Sequence, residues 1–181
     1  MSSSILCAVT LDQHGAACLG YAWQRATTTQ QALTIAHIAH QTMRTAGDYQ
    51  MRNLDRGQQL LPLAELASKQ LGEFVDDVLK DGTEANTRAG DVQFRLLVQQ
   101  GIPGTRIPEI ARMIDASSIV IGGTRRSVWQ RRLWGCITCD VLRRARTPVF
   151  VVDSAGRPID AQDFLPDFSG DRSRRSALGA H

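Results

Sequence analysis

The sequence predicts an α/β fold, a three-layer α/β/α sandwich around a mainly parallel sheet of five strands. Two observations predict this class. Short, continuous apolar runs, typical of strands buried on both faces, alternate with segments whose apolar residues recur every three or four positions, as in amphipathic helices. Glycine, proline and aspartate separate these segments. Strands alternating with helices favour a parallel sheet, and right-handed connections leave few topologies.

The predicted elements follow one another in a regular order. The five strands are apolar runs that end at turn signals: residues 5–10, 32–38, 92–99, 117–123 and 148–153. The helices between them have apolar residues at helical spacing or begin at glycine or proline: residues 15–26, 60–80, 103–114 and 135–146. Pro108 is tolerable in a first helical turn, but deeper in the third helix it predicts a bend. Residues 40–57 are polar and glycine-containing, which predicts a loop or a poorly ordered segment.

A length of 181 residues suits one domain with a tail. We expect a domain over residues 1–153 and a partly disordered tail over residues 154–181, where glycine, serine, proline and charged residues accumulate. The sequence DFLPDF in that tail could dock on the domain or on a partner. The chain contains no apolar window long enough for a membrane span, and its start does not resemble a signal peptide, so a cytoplasmic location is expected.

Positive charge is carried almost entirely by arginine and is concentrated near the end of the predicted domain. The net charge is +3, and seven arginines lie between Arg125 and Arg146 against the single acid Asp140. Guanidinium groups match phosphate and carboxylate oxygens in a way that lysine does not. The alternative is a GC-rich genome that favours arginine codons, together with a solvated basic face.

The strand ending in SSIVIGG, followed by a basic loop and a helix, predicts an anion site. Ligands of parallel sheets bind beyond the carboxyl ends of the strands. Glycines allow close approach of the main chain, and a helix beginning near Gly135 offers free N–H groups to an anion. The alternative is a tight turn with ordinary helix capping. The sequence contains neither GxxxxGK[ST] nor a GxGxxG after a strand, which excludes the two commonest nucleotide signatures.

Four stretches, in order and at the right spacing, resemble the universal stress protein family over about residues 4 to 153. The family's first strand and helix resemble ILCAVTLDQHGAACLGYAWQRA, and its second strand, which often ends in a His-Ile pair, resembles LTIAHI with His37. Its third strand end, next helix and fourth strand resemble QQGIPGTRIPEIARMIDASSIVIGG. The most specific part is LWGCITCDVLRRARTPVFVVD, which resembles the family's glycine, helix and final strand. The resemblance implies a Rossmann-like fold.

ATP-binding members of that family carry G-x2-G-x9-G-[ST] after the fourth strand, and this chain departs from the pattern. The matching positions are Gly122, Arg125, Gly135 and Cys136, so arginine replaces the second glycine and cysteine replaces the hydroxyl residue. The family's aspartate at the end of strand one is Thr10 here. Arginine costs roughly 1–2 kcal/mol where φ is positive, and a thiol is a weak donor. Arg125 could partly compensate by contacting phosphate.

The resemblance therefore implies a regulatory protein with a weak or altered site for ATP or another adenine nucleotide, and no metal beyond the magnesium that accompanies a nucleotide. The expected nucleotide-binding residues are Val9, Thr10, Ile38, Ile121, Gly122, Gly123, Arg125, Arg126, Gly135, Cys136 and Ile137. It also implies a homodimer, commonly formed through the last strand, Pro148 to Asp153. The alternative is a module without nucleotide that binds a protein partner or polyanion through its arginine-rich loop, residues 125–132. Nucleic-acid binding would require a steep salt dependence.

Other candidate groups have plain structural interpretations beside the functional ones. Cys136 and Cys139 lie at a predicted helix start, a place that lowers the pKa of a thiol and suits redox chemistry, but two small packing residues are the simpler interpretation. Cys7 and Cys18 are interpreted as buried hydrophobic residues. The sequence shows no catalytic arrangement of Ser, His and Asp and no pair of carboxylates that predicts catalysis. If the protein is an enzyme, we expect at most a slow ATPase.

Overall fold

The computed structural model describes residues 4–39, 63–81, 92–123 and 136–164. The strands are β1 (Ser4–Ala8), β2 (Ala32–Ala39), β3 (Phe94–Gln100), β4 (Ala116–Gly122), β5 (Val149–Val152) and β6 (Pro158–Ile159). The helices are α1 (Gln13–Thr29), α2 (Leu63–Asp81), α3 (Pro103–Met113) and α4 (Ile137–Arg144), followed by a 3-10 helix (Ala161–Phe164). The predicted order of strands and helices is confirmed. The predicted loop over residues 40–57 lies outside the described residues.

One sheet contains all six strands, in the order β3-β2-β1-β4-β5-β6. The first five run parallel to their neighbours, and β6 pairs antiparallel with β5. The prediction of five strands is therefore wrong by one. The extra strand is only two residues long, too short to give an apolar run or an alternating pattern. Because β6 pairs with Val151 and Val152, β5 is not the edge of the sheet at these residues.

The turn between β5 and β6 explains why the chain returns to the sheet. The Asp153 carboxylate accepts hydrogen bonds from the N–H groups of Ala155 and Arg157, at 2.9 and 2.8 Å. Gly156 has a φ of 77°, in the left-handed region that glycine occupies without strain. These local contacts reverse the chain within a few residues, and the 3-10 helix then covers β5 and α4.

Successive side chains of each strand enter two separate cores, one on each face of the sheet. Ile5 and Cys7 pack with Leu19 beneath α1 and α2, while Leu6 packs on the other face beneath α3 and α4. Both cores contain fully buried aliphatic side chains. The sheet is thus the middle layer of the predicted three-layer sandwich.

Helices α3 and α4 pack closely on the second face. A Cβ atom at Gly104 would lie 2.7 Å from the Cβ of Asp140, so glycine is needed for this approach. Pro108 lies in the interior of α3, beyond its first turn, where its missing N–H removes the helical hydrogen bond to the carbonyl of Gly104. This packing positions the first turn of α4, and that turn forms one wall of the cleft described next.

Candidate functional site

A cleft of about 470 Å³ lies at the carboxyl ends of β1, β2 and β4. Strands β1 and β4 are neighbours in the sheet, but the chain continues from β1 to β2 and β3 on one side of β1 and only then crosses to β4 on the other side. This is the topological switch point, where open α/β sheets bind ligands. The volume falls in the range of small-molecule sites, roughly 300–1,000 Å³.

The first wall of the cleft is the connection from β1 to α1. Asp12 is the N-cap of α1, and its Oδ1 accepts the N–H of Gly15 at 2.9 Å and the hydroxyl of Thr10 at 2.7 Å. Partial burial would raise the pKa of Asp12, but these hydrogen bonds and the nearby His14 outweigh it and hold the pKa below its ordinary value. The cleft therefore carries an ionised carboxylate at neutral pH.

Close packing of α1 against the end of β1 depends on Gly15. A Cβ atom at this position would overlap the carbonyl oxygen of Thr10. Cys18, one turn further along α1, also lines the cleft, and its sulfur lies 3.8 Å from that of the buried Cys7. The contact with Cys18 and complete burial raise the pKa of Cys7, so this thiol stays protonated.

The floor of the cleft is apolar. It is formed by the ends of three strands with one residue of α3, namely Val9, Ile38, Ile121 and Ile107. Nδ1 of His37 lies 3.0 Å from the carbonyl oxygen of Val9, a hydrogen bond when this nitrogen carries the proton. This contact fixes the imidazole at the boundary between the apolar floor and the polar first wall.

Two consecutive glycines at the end of β4 have different surroundings. A Cβ atom at Gly122 would meet no described atom within 4 Å, and the residue is exposed in the cleft. At Gly123, a Cβ atom would collide with Cγ1 of Val151 and would lie 2.9 Å from the Phe164 ring. Packing therefore requires glycine at 123, whereas none of the residues that the structure describes fills the space beside 122.

The start of α4 forms the wall opposite α1. Cys136 is the N-cap, and its sulfur accepts the N–H of Cys139 at 3.2 Å. The Thr138 hydroxyl donates to the carbonyl of Gly122 at 3.2 Å, which ties the helix start to the end of β4. Ile137 is 54% exposed at the rim. The two cysteines are joined as a disulfide, with Cα atoms 5.1 Å apart.

The structure brings most of the predicted site residues together. The residues that line the cleft are Val9, Thr10, Ile38, Ile121, Gly122, Gly123, Cys136 and Ile137. Arg125, Arg126 and Gly135 lie outside the described residues, as does the arginine-rich loop. Helix α4 begins at Ile137 with Cys136 as its N-cap, two residues later than the predicted start at Gly135.

Several residues of the cleft are not among the predicted site residues, and Asp12 and Phe164 are two of them. An aspartate immediately before a helix is an N-cap signal, and Asp12 provides it at the start of α1. Phe164 lies beyond the predicted domain, yet it is 3% exposed and lines the cleft. The apolar side chains of DFLPDF indicate that this segment docks, but the sequence does not indicate on which surface.

Within residues 4–39, 63–81, 92–123 and 136–164, no group of three or more histidine, cysteine or acidic side chains is placed to hold a metal ion. None of the helices in these ranges combines the length and the hydropathy of a membrane span.

Comparisons with known proteins agree on one family. The model of the universal stress protein family matches residues 1–153. A universal stress protein solved in complex with cAMP is 19% identical, with a TM-score of 0.59 over 84% of this chain and 98% of that chain. A universal stress protein from Archaeoglobus fulgidus is 22% identical, with a TM-score of 0.55 over 83% of this chain and 98% of that chain. No curated protein matches the sequence.

A universal stress protein from Archaeoglobus fulgidus was also solved in complex with dAMP. It is 20% identical, with a TM-score of 0.50 over 82% of this chain and 96% of that chain. At these identities the likeness concerns the fold.

Proposed function

The chain belongs to the universal stress protein family, and from this premise we propose that it is a regulatory protein that binds an adenine nucleotide in the cleft between α1 and α4. The observation that carries the proposal is the cleft itself, which opens at the switch point of the sheet. Gly122 lines it, and no described atom lies within 4 Å of a Cβ placed there. Related folds solved with cAMP and dAMP support the choice of ligand class.

The cleft offers different chemistry to each part of a nucleotide. The apolar floor, with Val9 and Ile38, suits the faces of a purine base. The hydrogen bonds from Thr10 and Gly15 both go to Oδ1 of Asp12. We propose that Oδ2 accepts from a ribose hydroxyl, beside the backbone of His14, which also bonds this carboxylate. The carboxylate that the family resemblance places at position 10 is thus supplied two residues later.

The phosphate end of the proposed site is the space between Gly122 and the start of α4. The free N–H groups and positive dipole of a helix start favour an anion. Of these N–H groups, that of Cys139 is already bonded to the sulfur of Cys136. The Thr138 hydroxyl is likewise engaged by the carbonyl of Gly122. Cys136 also stands where the family motif has a hydroxyl residue, and a thiol is a weak donor, so we propose a weaker or altered site.

A titration by calorimetry tests the proposal on the full chain, with AMP, ADP, ATP and cAMP, each with and without magnesium, and CTP as the base control. We expect saturable heat with at least one adenine nucleotide and a weaker response to CTP. No heat and no thermal shift at millimolar concentrations of all the adenine nucleotides would contradict the proposal and favour the partner-binding alternative.

A pair of matched variants locates the site. Gly122→Leu places a side chain in the open part of the cleft, whereas Gly20→Leu places the same side chain in open space on α1, away from the cleft. We expect Gly122→Leu to weaken nucleotide binding about ten-fold or more, equivalent to about 1.4 kcal/mol, without loss of the folded state. Gly20→Leu should bind as the wild type does; equal binding by both variants would place the nucleotide elsewhere.

We also propose that the chain forms a homodimer through the last strand, Pro148 to Asp153. In the described chain, β6 already pairs with Val151 and Val152. A strand from a second copy can pair there only when β6 moves away, which makes the dimer dependent on the turn at Asp153. Sedimentation equilibrium over a concentration series measures this association; a monomer at every concentration would contradict it.

A further inference from the structure

The two cysteines at the start of α4 differ in accessibility. Cys136 is half-buried and lines the cleft, whereas Cys139 is 5% exposed and faces the second core. The sulfur of Cys136 accepts the Cys139 N–H at the positive end of the helix. Both features stabilise a thiolate at Cys136. The pair thus combines an accessible nucleophilic sulfur with a buried second sulfur within bonding reach.

The Cys139 sulfur also contacts the segment that follows β6. It lies 3.1 Å from the carbonyl oxygen of Phe164, whose side chain packs against Gly123 and lines the cleft. A thiol can donate a hydrogen bond to this carbonyl, but a disulfide sulfur carries no hydrogen and cannot. In the disulfide form, which is the one in this structure, the contact is therefore not a hydrogen bond, and it becomes one only when the pair is reduced.

We propose that Cys136 and Cys139 form a reversible dithiol–disulfide site, and that its redox state controls how firmly the Phe164 segment is held on the wall of the cleft. The reduced pair holds the segment through the Cys139 S–H group. In the oxidised pair this donor is absent, so the buried carbonyl oxygen of Phe164 loses the hydrogen bond from Cys139. This inference does not depend on the identity of the ligand in the cleft.

Oxidation by a small-molecule disulfide follows ordinary thiol–disulfide exchange. The Cys136 thiolate attacks one sulfur of the oxidant, and the oxidant's S–S bond breaks to release a thiolate. The Cys139 thiol then loses its proton and attacks the Cys136 sulfur, which expels the second thiolate. Two protein thiols become one disulfide, and the oxidant takes up two electrons and two protons to leave as two thiols.

The first test measures the redox state of the full chain. The protein is equilibrated in glutathione buffers of varied composition, trapped with N-ethylmaleimide and digested for mass spectrometry. We expect the peptide with Cys136 and Cys139 to change from doubly alkylated to disulfide-linked as the oxidised fraction rises. Cys7 is completely buried and should remain a thiol throughout. Alkylation of both Cys136 and Cys139 even in a large excess of oxidised glutathione would overturn the proposal.

The second test measures hydrogen exchange in a peptide that covers residues 155–164. Loss of one weak hydrogen bond should make exchange about three-fold faster in the oxidised protein. Cys136→Ser keeps the Cys139 donor and a good N-cap, so exchange should stay slow in both buffers. Cys139→Ala removes the donor, so exchange should be fast in both. Oxidation that leaves exchange unchanged in the wild type would overturn the control of the segment.

Discussion

The hydroxyl of Thr10 donates a 2.7 Å hydrogen bond to Oδ1 of Asp12, the same oxygen that accepts the N–H of Gly15 at 2.9 Å. These two contacts join the connection that follows β1 to the first turn of α1. They also hold the Asp12 carboxylate at the wall of the cleft. Helix capping and the proposed ribose contact thus depend on the same side chain. Variants of Asp12 can distinguish these two roles.

Replacing Asp12 should separate capping from charge. Asp12→Ala removes the N-cap, and we expect the free energy of unfolding to fall by about 1 kcal/mol. Asp12→Asn retains an acceptor oxygen for Gly15 but loses the charge, so its free energy of unfolding should lie between those of Asp12→Ala and the wild type. Urea denaturation at pH 7 measures both. Equal destabilisation by alanine and asparagine would contradict capping as the dominant role.

The charge of Asp12 should appear in the pH dependence of stability. The folded chain holds the pKa of Asp12 below its ordinary value, despite the opposing effect of burial, through the hydrogen bonds from Thr10 and Gly15. The carboxylate therefore stabilises the fold fully above its unfolded pKa of about 3.9. This stabilisation disappears as the pH falls through the lower folded pKa. The difference in stability between wild type and Asp12→Asn should vanish over that acidic interval; a constant difference would contradict it.

Two glycines of the same helix should respond in opposite ways to alanine. A Cβ atom at Gly15 would overlap the Thr10 carbonyl, so Gly15→Ala must push α1 from β1 and should cost about 3 kcal/mol of stability. Gly20 has no described atom within 4 Å of such a Cβ, and Gly20→Ala should stabilise the helix by about 0.5–1 kcal/mol. Thermal and urea denaturation of both variants provide the comparison. Similar effects at the two positions would contradict the close approach at Gly15.

The sequence predicted the elements whose pattern is carried by many residues. The buried run of β4 and the helical spacing of α2 are long enough to exclude the other secondary structure. It also predicted that the residues around Val9, Ile38 and Gly122 would meet, because parallel strands bring their carboxyl ends to one edge. These predictions need only the period of the hydrophobic pattern and the order of the strands and helices.

Features set by a few tertiary contacts were not predictable in the same way. Strand β6 has only two residues, and its formation depends on the Asp153 turn. The different needs of Gly122 and Gly123 appear only once Val151 and Phe164 are in place, because adjacent glycines look alike in a sequence. Tertiary packing therefore decided which glycine remains open to the cleft.

The turn at Asp153 should control self-association through β5. Asp153→Ala removes the acceptor for the N–H groups of Ala155 and Arg157, which loosens β6 and frees the edge of β5. We expect a larger dimer fraction than for the wild type in sedimentation equilibrium at the same concentration. Asp153→Asn retains an acceptor for these N–H groups but loses the charge that faces Arg157, so its dimer fraction should lie between those of the wild type and Asp153→Ala. An unchanged monomer fraction in Asp153→Ala would exclude control of the dimer by β6.

The same hydrogen bonds predict an effect of pH on that association. The N–H of Arg157 is the main cause that lowers the pKa of Asp153, and the N–H of Ala155 and the Arg157 side chain add to it. The turn is thus stabilised above the ordinary pKa of an aspartate and loses this stabilisation as the pH falls through the lower folded pKa. Dimer formation should increase in acid for the wild type, measured by sedimentation at several pH values. Asp153→Asn does not titrate and should show less change.

The Phe164 side chain should contribute to the stability of the whole fold, although it lies after the family-matched residues 1–153. It is 3% exposed and packs among Val151, Ile121 and Cys139, so Phe164→Ala should lower the free energy of unfolding by about 3 kcal/mol. Phe94 is the matched control, since it is 43% exposed on β3 and contacts Trp23. Phe94→Ala should cost about 1 kcal/mol. Urea denaturation measures the free energy of unfolding of both variants. If Phe164→Ala costs no more than Phe94→Ala, the segment after β6 does not contribute to the core. Its packing against Gly123 then does not stabilise the wall of the cleft.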